Sequence, residues 1–169
     1  GAGACPCCVE PPPPLEDQID VMVREKNSND WIEVKLPSPT RAVIIPNLTN
    51  YAGGKSLWGT CATSSYLPCG AGRSASGNEY SAAAHDDGLL EVVAIGGIYH
   101  MGCVLGCNKL GISAARIAQA AEVRIRVRSK SNKTAMQIDG EPWLQPNATV
   151  HIRHFAMASI LRNVEGGCC

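Results

Sequence analysis

Alternation of apolar and polar residues over short stretches is the feature that most constrains what this chain can fold into. In residues 121–130, AEVRIRVRSK, branched apolar residues stand at positions 123, 125 and 127, and arginines stand at 124, 126 and 128. This two-residue period matches the side-chain alternation of an extended strand and not the period of a helix. We therefore expect Val123, Ile125 and Val127 to face a core, with the arginines on the outside.

Other segments carry the same alternation or a short apolar run bounded by turn residues. Residues 19–36 predict a hairpin, and residues 41–48 predict a short buried strand that Pro46 ends. Residues 87–97, DGLLEVVAIGG, are nearly all apolar, which is typical of a central strand. Residues 149–155 predict a last strand that closes the sheet.

Turn residues and composition complete the fold prediction. Asp139 and Gly140 predict a type I′ hairpin turn within residues 134–146, because both central positions of that turn need residues that tolerate positive φ. Residues 99–121 predict one or two short helices. Only 5% of the residues are aromatic, and a core of Val, Ile and Leu favours a sheet. The sequence predicts a mainly β fold, a β-sandwich or half-barrel of antiparallel strands with one or two short helices.

The charge balance and the cysteines limit where this chain works and what it binds. Fifteen Lys and Arg balance 15 Asp and Glu, so the overall charge does not indicate a nucleic-acid partner. No apolar run is long enough to span a bilayer, and no signal-peptide pattern is visible. Nine cysteines, an odd number, without a secretory signal indicate reduced thiols and a cytoplasmic location. We expect no metal site, although Cys103, Cys107 and His100 would offer zinc ligands, and lipidation of the terminal cysteines stays open.

Asp86 and Asp87 stand directly before Gly88 and the apolar run at 89–95. Two acids before a glycine are a common surface turn, but acids held at the start of a buried strand are also suited to accept a proton. In residues 53–58, GGKSLW, the missing side chains allow a ligand or another backbone to come close. Neither pattern alone selects an enzyme class, since the chain has no phosphate loop, dinucleotide fingerprint or serine elbow.

Four motifs, taken together and in order, resemble the accessory domain of eukaryotic diacylglycerol kinases. They are Gly-Gly-x-x-Leu-Trp at 53–58, Asp-Asp-Gly-Leu-Leu-Glu-Val at 86–92, Arg-x-x-Gln at 116–119 and Asp-Gly-Glu-Pro-Trp at 139–143. The similarity covers residues 19–155, and four spaced motifs are far more specific than one. Thr49 departs from the family pattern, in which a proline is usual at that place.

The resemblance implies an ATP-dependent lipid kinase that phosphorylates diacylglycerol to phosphatidic acid in lipid signalling. In related lipid kinases an acid at this place accepts the proton of the lipid hydroxyl, so we predict Asp87 as the catalytic residue, with Asp86 in support. Gly53, Gly54 and Trp58 are predicted to bind the substrate.

The last motif is predicted to be structural. Asp139, Gly140 and Glu141 would form the hairpin turn, with Trp143 packed beneath it.

By this resemblance, residues 1–14 are a Cys/Pro-rich linker, residues 15–160 the accessory domain and residues 161–169 a C-terminal tail. The Gly-Asp-Gly-Thr nucleotide loop of such kinases is missing from this sequence. ATP and Mg²⁺ are therefore expected to be bound mainly by a catalytic domain outside it, and this chain alone is expected to be inactive.

The expected partners are diacylglycerol, the catalytic domain of the same kinase and a membrane surface, at which the protein would be peripheral. No nucleic acid is expected. Two alternatives stay open: a fragment of a related sphingoid or ceramide lipid kinase, and a non-catalytic β-domain that binds a partner kinase or a membrane.

Overall fold

The computed structural model of the chain describes residues 13–48, 51, 56–58, 79–106, 114–130 and 133–159. In chain order these residues form a short 3₁₀ helix (Leu15–Asp17), β1 (Ile19–Arg24), β2 (Ile32–Val34), β3 (Ala42–Ile44), β4 (Leu90–Ile95), α1 (Ile98–Gly106), β5 (Ala115–Ala120), β6 (Glu122–Val127), β7 (Thr134–Ile138), β8 (Glu141–Gln145) and β9 (Thr149–Arg153). The fold is mainly β, as the sequence predicts. Most of the predicted linker and all of the predicted C-terminal tail lie outside the described residues.

The strands form three antiparallel sheets. The first sheet has the order β2-β1-β6-β9, the second has the order β3-β4-β5, and β7 pairs with β8 alone. β5 and β6 follow each other in the chain but belong to different sheets. Ala121 lies between them, and its N–H donates to the carbonyl oxygen of Arg24 on β1 at 3.0 Å. The chain therefore crosses from the second sheet to the first within a single residue.

The first and second sheets enclose one apolar core. β1 and β6 turn every second side chain towards it, and Val21, Val23 and Val123 are buried there. From the second sheet, Val92 of β4 and Ala120 of β5 belong to the same cluster. A buried valine of this kind stabilises the fold by about 1.5–3 kcal/mol through removal of apolar surface from water. The inward and outward alternation predicted for residues 121–130 is confirmed.

β4 is the central strand of the second sheet and is buried on both faces. Val92 and Ala94 face the core between the sheets, whereas Val93 and Ile95 face a second apolar cluster on the other side. The buried side chains that complete this second cluster are Leu57, Trp58, Val104 and Ala114. A strand covered on both sides needs a nearly continuous apolar run, which is why the sequence of this strand shows so little alternation.

The region predicted to contain one or two helices is half helix and half strand. α1 covers Ile98–Gly106, but Ala115–Ala120 forms β5 at one end of the second sheet. The alanines of β5 favour a helix by intrinsic propensity, yet pairing with the buried β4 outweighs a preference of a few tenths of a kcal/mol per residue. The predicted short helix is confirmed by α1, whereas β5 is a strand that the sequence did not predict.

Both predicted hairpins are present. β1 pairs with β2 around a turn that contains Asn27 at φ 67°. β7 pairs with β8 around Asp139 and Gly140, whose φ values of 50° and 93° are those that a type I′ turn requires. β9 lies beside β6 at the edge of the first sheet, as predicted for the last strand.

The shared core predicts a large effect of truncating Val92, whose side chain is fully buried between the sheets. We expect Val92→Ala to lower the free energy of unfolding by about 2–3 kcal/mol, because two methyl groups and their contacts are lost. Urea denaturation followed by circular dichroism measures this change. Thr149→Ala, at an exposed position of β9, should change it by less than about 0.5 kcal/mol. Equal effects of the two substitutions would contradict the shared core.

Candidate functional site

Three of the four motifs meet on the outer face of the second sheet. Glu91, Val93 and Ile95 alternate along β4 on this face, since Val92 and Ala94 point into the core. Val93 and Ile95 pack in the cluster that contains Leu57 and Trp58. Glu91 continues the same row at the start of the strand and is only 3% exposed. The strand thus directs one carboxylate towards the tryptophan segment.

A β-bulge brings both polar residues of the Arg-x-x-Gln motif to this face. Glu91 lies opposite Gln119, but Val93 lies opposite Arg116, and the register shifts between Val92 and Val93. Ile117 is the extra residue in β5. In a regular strand, side chains three positions apart point to opposite faces, and the extra residue removes this difference.

Trp58 is held on the second sheet through its backbone and its ring. The Arg116 Nε–H donates to the Trp58 carbonyl oxygen at 2.7 Å, and the guanidinium carbon lies 4.9 Å from the ring centroid. The indole N–H donates to the carbonyl oxygen of Ser81 at 2.9 Å. The ring of Tyr80 packs against the Trp58 ring, with 5.1 Å between the two centroids. Arg116 therefore fixes the tryptophan segment by a hydrogen bond and a cation–π contact.

Gln119 links the segment before the acid pair to Glu91. Its side-chain oxygen accepts from both the backbone N–H and the hydroxyl of Ser81, each at 2.9 Å. Its side-chain N–H donates to Glu91 Oε1 at 3.1 Å. One amide thus connects two chain segments to β4, because it donates on one side and accepts on the other.

Glu91 lines a small pocket together with Tyr51, Leu57, Trp58 and Ala83. Burial raises the pKa of the Glu91 carboxyl above its ordinary value of 4.5, and the hydrogen bond from Gln119 opposes this rise. The charge of Asp87 raises the pKa further. Asp87 therefore lies within electrostatic reach of the pocket.

Asp87 itself forms the turn that leads into β4. Its Oδ1 accepts from the N–H of Leu89 at 2.9 Å, which is an Asx turn, and Gly88 has φ +72°. The carbonyl oxygen of Asp87 accepts from Lys26 Nζ at 2.9 Å, so the β1–β2 hairpin holds the turn in place. Asp87 is half-buried and Asp86 is exposed. The acid pair therefore forms a turn at the start of a buried strand, and its catalytic role stays a prediction.

Of the three residues predicted to bind the substrate, Gly53 and Gly54 lie outside the described residues. Trp58 is buried, so its ring supports the site from within, and its predicted contact with substrate stays a prediction.

The Asp139–Trp143 motif lies on the separate β7–β8 hairpin. Asp139 and Gly140 form its turn, and Glu141 begins β8 directly after it. Trp143 is half-buried, and its indole N–H donates to Gln145 Oε1 at 2.9 Å.

Sequence reasoning missed three residues that the structure places at the centre of the site: Tyr80, Ser81 and Glu91. Tyr80 donates its hydroxyl to the carbonyl oxygen of Ile117 at 2.9 Å, at the bulge itself. For Glu91 a signal existed, because it is the one charged residue inside the apolar run 89–95. A charge in a strand buried on both faces needs a partner, and that requirement points to a polar residue on the neighbouring strand.

Most of the chain matches a known protein family. A family model described as the diacylglycerol kinase accessory domain matches residues 12–142. The chain belongs to this family.

Diacylglycerol kinase 7 of Arabidopsis thaliana is 30% identical over 169 residues, which is 95% of this chain and 32% of that protein. Diacylglycerol kinase 4 of the same plant is 35% identical over 78% of the chain and 25% of its own length. Human diacylglycerol kinase theta is 37% identical over 78% of the chain and 11% of its own length. This chain thus spans a third or less of the length of these relatives. No solved structure matches the chain.

The described residues include no helix with the length and the apolar composition that a membrane span needs. They also contain no group of three or more His, Cys, Asp or Glu side chains placed to hold a metal ion.

The raised pKa of the buried Glu91 carboxyl predicts how the stability of the fold depends on pH. Because its pKa is raised in the folded protein, protonated Glu91 favours folding, and this contribution is full below pH 4.5 and is lost as pH rises through the raised pKa. Glu91→Gln stays neutral, so its free energy of unfolding should increase relative to the wild type as pH rises from 4.5. Urea denaturation across a pH series measures the difference. The control Glu141→Gln, at an exposed position, should follow the wild-type pH profile, and an identical profile for Glu91→Gln would contradict the prediction.

The hydrogen bond between Gln119 and Glu91 predicts rescue by exchanging the two side chains. Gln119→Glu places two carboxylates together in a buried site and should cost about 1–3 kcal/mol of stability at neutral pH. The double variant Gln119→Glu/Glu91→Gln should recover most of this loss, because a carboxylate at position 119 still accepts from Ser81 and an amide at position 91 donates to it.

Thermal and urea unfolding measure both variants, with Gln137→Glu on the exposed side of β7 as the control. A double variant no more stable than Gln119→Glu alone would show that the paired contact is unimportant.

Proposed function

We propose that this chain is the accessory part of an ATP-dependent diacylglycerol kinase, which transfers the γ-phosphoryl group of ATP to the free hydroxyl of diacylglycerol and produces phosphatidic acid. The observation that carries this proposal is the meeting of three motifs at the start of β4. The tryptophan segment, the acid pair and the Arg-x-x-Gln motif are joined there by the contacts of Arg116, Gln119 and Glu91. The relatives that share this domain are named diacylglycerol kinases.

The proposed chemistry needs an oriented hydroxyl and a proton acceptor, since phosphoryl transfer depends mostly on positioning and charge stabilisation. We assign the acceptor role to Asp87, whose Oδ1 is already oriented by the Leu89 N–H. Asp86 supports it as the neighbouring exposed carboxylate. Gly53 and Gly54 would let backbone amides approach the glycerol or phosphate oxygens.

ATP and Mg²⁺ are proposed to be held mainly by the catalytic domain of the same kinase. The described residues of this chain offer no group of three His, Cys, Asp or Glu side chains that could hold the ion. Diacylglycerol resides in membranes, and we therefore propose that the domain works on the cytosolic membrane surface as a peripheral protein.

The test is a chimera in which this chain replaces the matching part of Arabidopsis diacylglycerol kinase 7, to which 95% of the chain aligns. The chimera should convert diacylglycerol and labelled ATP to phosphatidic acid, while the chain alone should not. Asp87→Asn should lower kcat by about 100-fold or more, because the proton acceptor is lost. Thin-layer separation of labelled lipid products measures the rate.

Asp139→Asn is the matched control, because it makes the same change at a turn of the β7–β8 hairpin, where asparagine also tolerates positive φ. It should keep activity within about twofold of the unsubstituted chimera. A chimera that is folded by circular dichroism but inactive on diacylglycerol contradicts the proposal. Activity on a sphingoid base or ceramide instead would support the related lipid kinase, and full activity of Asp87→Asn would remove that residue from its role.

A further inference from the structure

The outer face of the first sheet, the face opposite the core, carries a dense set of cationic side chains. The strand register places Met22 of β1, Arg124 of β6 and His151 of β9 in one row. Arg126 and Arg153 lie on the same face in the rows on either side. Their inward neighbours form the core, so these side chains lie together on the opposite face of the sheet.

Two of the acidic side chains on this face, Glu122 and Asp20, already have partners. Glu122 forms an ion pair with Arg24 and a hydrogen bond with His151, the latter at 2.9 Å between Oε2 and Nε2. Hydrogen bonding to His151 and the charge of Arg24 lower the pKa of Glu122, which therefore stays ionised. Asp20 pairs with Arg128 at 2.7 Å.

Three arginines of this face form no ion pair with the described residues. Arg124, Arg126 and Arg153 have no carboxylate of the described part of the chain within ion-pair distance. Glu33 is exposed on the edge strand β2 and offsets one of these charges. The formal net charge of the whole chain is zero, so this surface is cationic by local arrangement and not by composition.

Trp31 orders the arginines at one end of this face. The Arg124 guanidinium carbon lies 3.9 Å from the Trp31 ring centroid, and that of Arg24 lies at 5.6 Å. The rings of His151 and Trp31 pack edge to face, with 5.5 Å between their centroids. A stacked guanidinium has lost part of its conformational freedom already, so it binds an anionic group with a smaller entropic cost.

Exposed apolar side chains lie in the chain directly after β9. Phe155 is 98% exposed and Met157 is 78% exposed, two and four residues after Arg153. Exposed large apolar residues next to a cationic surface are typical of proteins that lie on a bilayer.

The candidate catalytic turn adjoins this end of the sheet. Lys26, two residues after Arg24, donates from Nζ to the carbonyl oxygen of Asp87. The acid pair is therefore at the same end of the domain as Trp31 and Arg24.

We propose that the outer face of the first sheet, with Arg124, Arg126, Arg153 and Trp31, docks on an anionic phospholipid bilayer. The guanidinium groups would bind headgroup phosphates, for which their planar donor geometry is suited, and Phe155 would enter the interface. The inference rests on the proposed function, because it names the face through which the kinase would reach a membrane-resident substrate.

The experiment uses the 169-residue chain without ATP or diacylglycerol. Sedimentation with phosphatidylcholine vesicles, with and without about one-third phosphatidylserine, measures the partition coefficient. We expect binding only to the anionic vesicles, and we expect it to weaken as salt is raised. Since each arginine near such a surface changes partitioning about fivefold, Arg126→Glu/Arg153→Glu should weaken binding more than tenfold.

The single reversals Arg126→Glu and Lys133→Glu provide the matched comparison, because Lys133 is exposed next to the separate β7–β8 hairpin. The first should reduce binding about fivefold or more and the second less than about twofold. Circular dichroism and thermal unfolding establish that each variant is folded.

Equal loss for both reversals, equal binding to uncharged vesicles, or no vesicle binding by the folded chain would each overturn the proposal. Loss of kinase activity in the chimera with intact vesicle binding would contradict the proposed function alone, whereas an active chimera that does not need the arginines would contradict the docking face alone.

Discussion

Burial of β4 on both faces is the constraint on which the rest of the structure depends. A strand in this position exposes neither of its faces to water, so both must be covered by apolar surface. The first sheet covers one face through Val21, Val23 and Val123, and the tryptophan segment with α1 covers the other. The single carboxylate in the strand, Glu91, is then buried as well and must be hydrogen-bonded. Gln119 meets that need from the neighbouring strand.

The same constraint explains why the candidate site is built where it is. Once Glu91 requires a donor, β5 must place Gln119 opposite it, and the bulge at Ile117 then allows Arg116 to reach Trp58 on the same face. The motif residues outside β4 therefore act through the strand. They hold the segments around Trp58 and Ser81 in place. The position of the acid pair is set because the chain enters β4 shortly after it. A β-bulge beside a functional site has this effect in many sheets, because it redirects side chains without adding an element.

Local signals in the sequence were sufficient for most of the fold. The alternation in residues 121–130, the Asp139-Gly140 turn and the apolar run of β4 each depend on residues close together in the chain, and each was predicted. β5 was not, because its alanines favour a helix and only the partner strand makes it extended. The role of Glu91 was also missed, although it is the one charged residue in the apolar run 89–95. Its partner Gln119 is identified only by the pairing of β4 with β5, which is a tertiary property. The catalytic role of Asp86 and Asp87 stays a prediction.

The two sheets carry different kinds of polar groups. The second sheet joins its polar groups in a hydrogen-bonded network that links Ser81, Gln119 and the buried Glu91. The first sheet keeps three arginines without carboxylate partners among the described residues, on a surface ordered by Trp31. The proposed reaction at a lipid hydroxyl requires Asp87 to lie near the membrane surface, yet docking of the first sheet face-on would separate the second sheet from the bilayer by the thickness of the core, about 10 Å. The contact between Lys26 and Asp87 resolves this difficulty, because it places the acid pair at the end of the sandwich, beside the edge of the cationic face and not behind it.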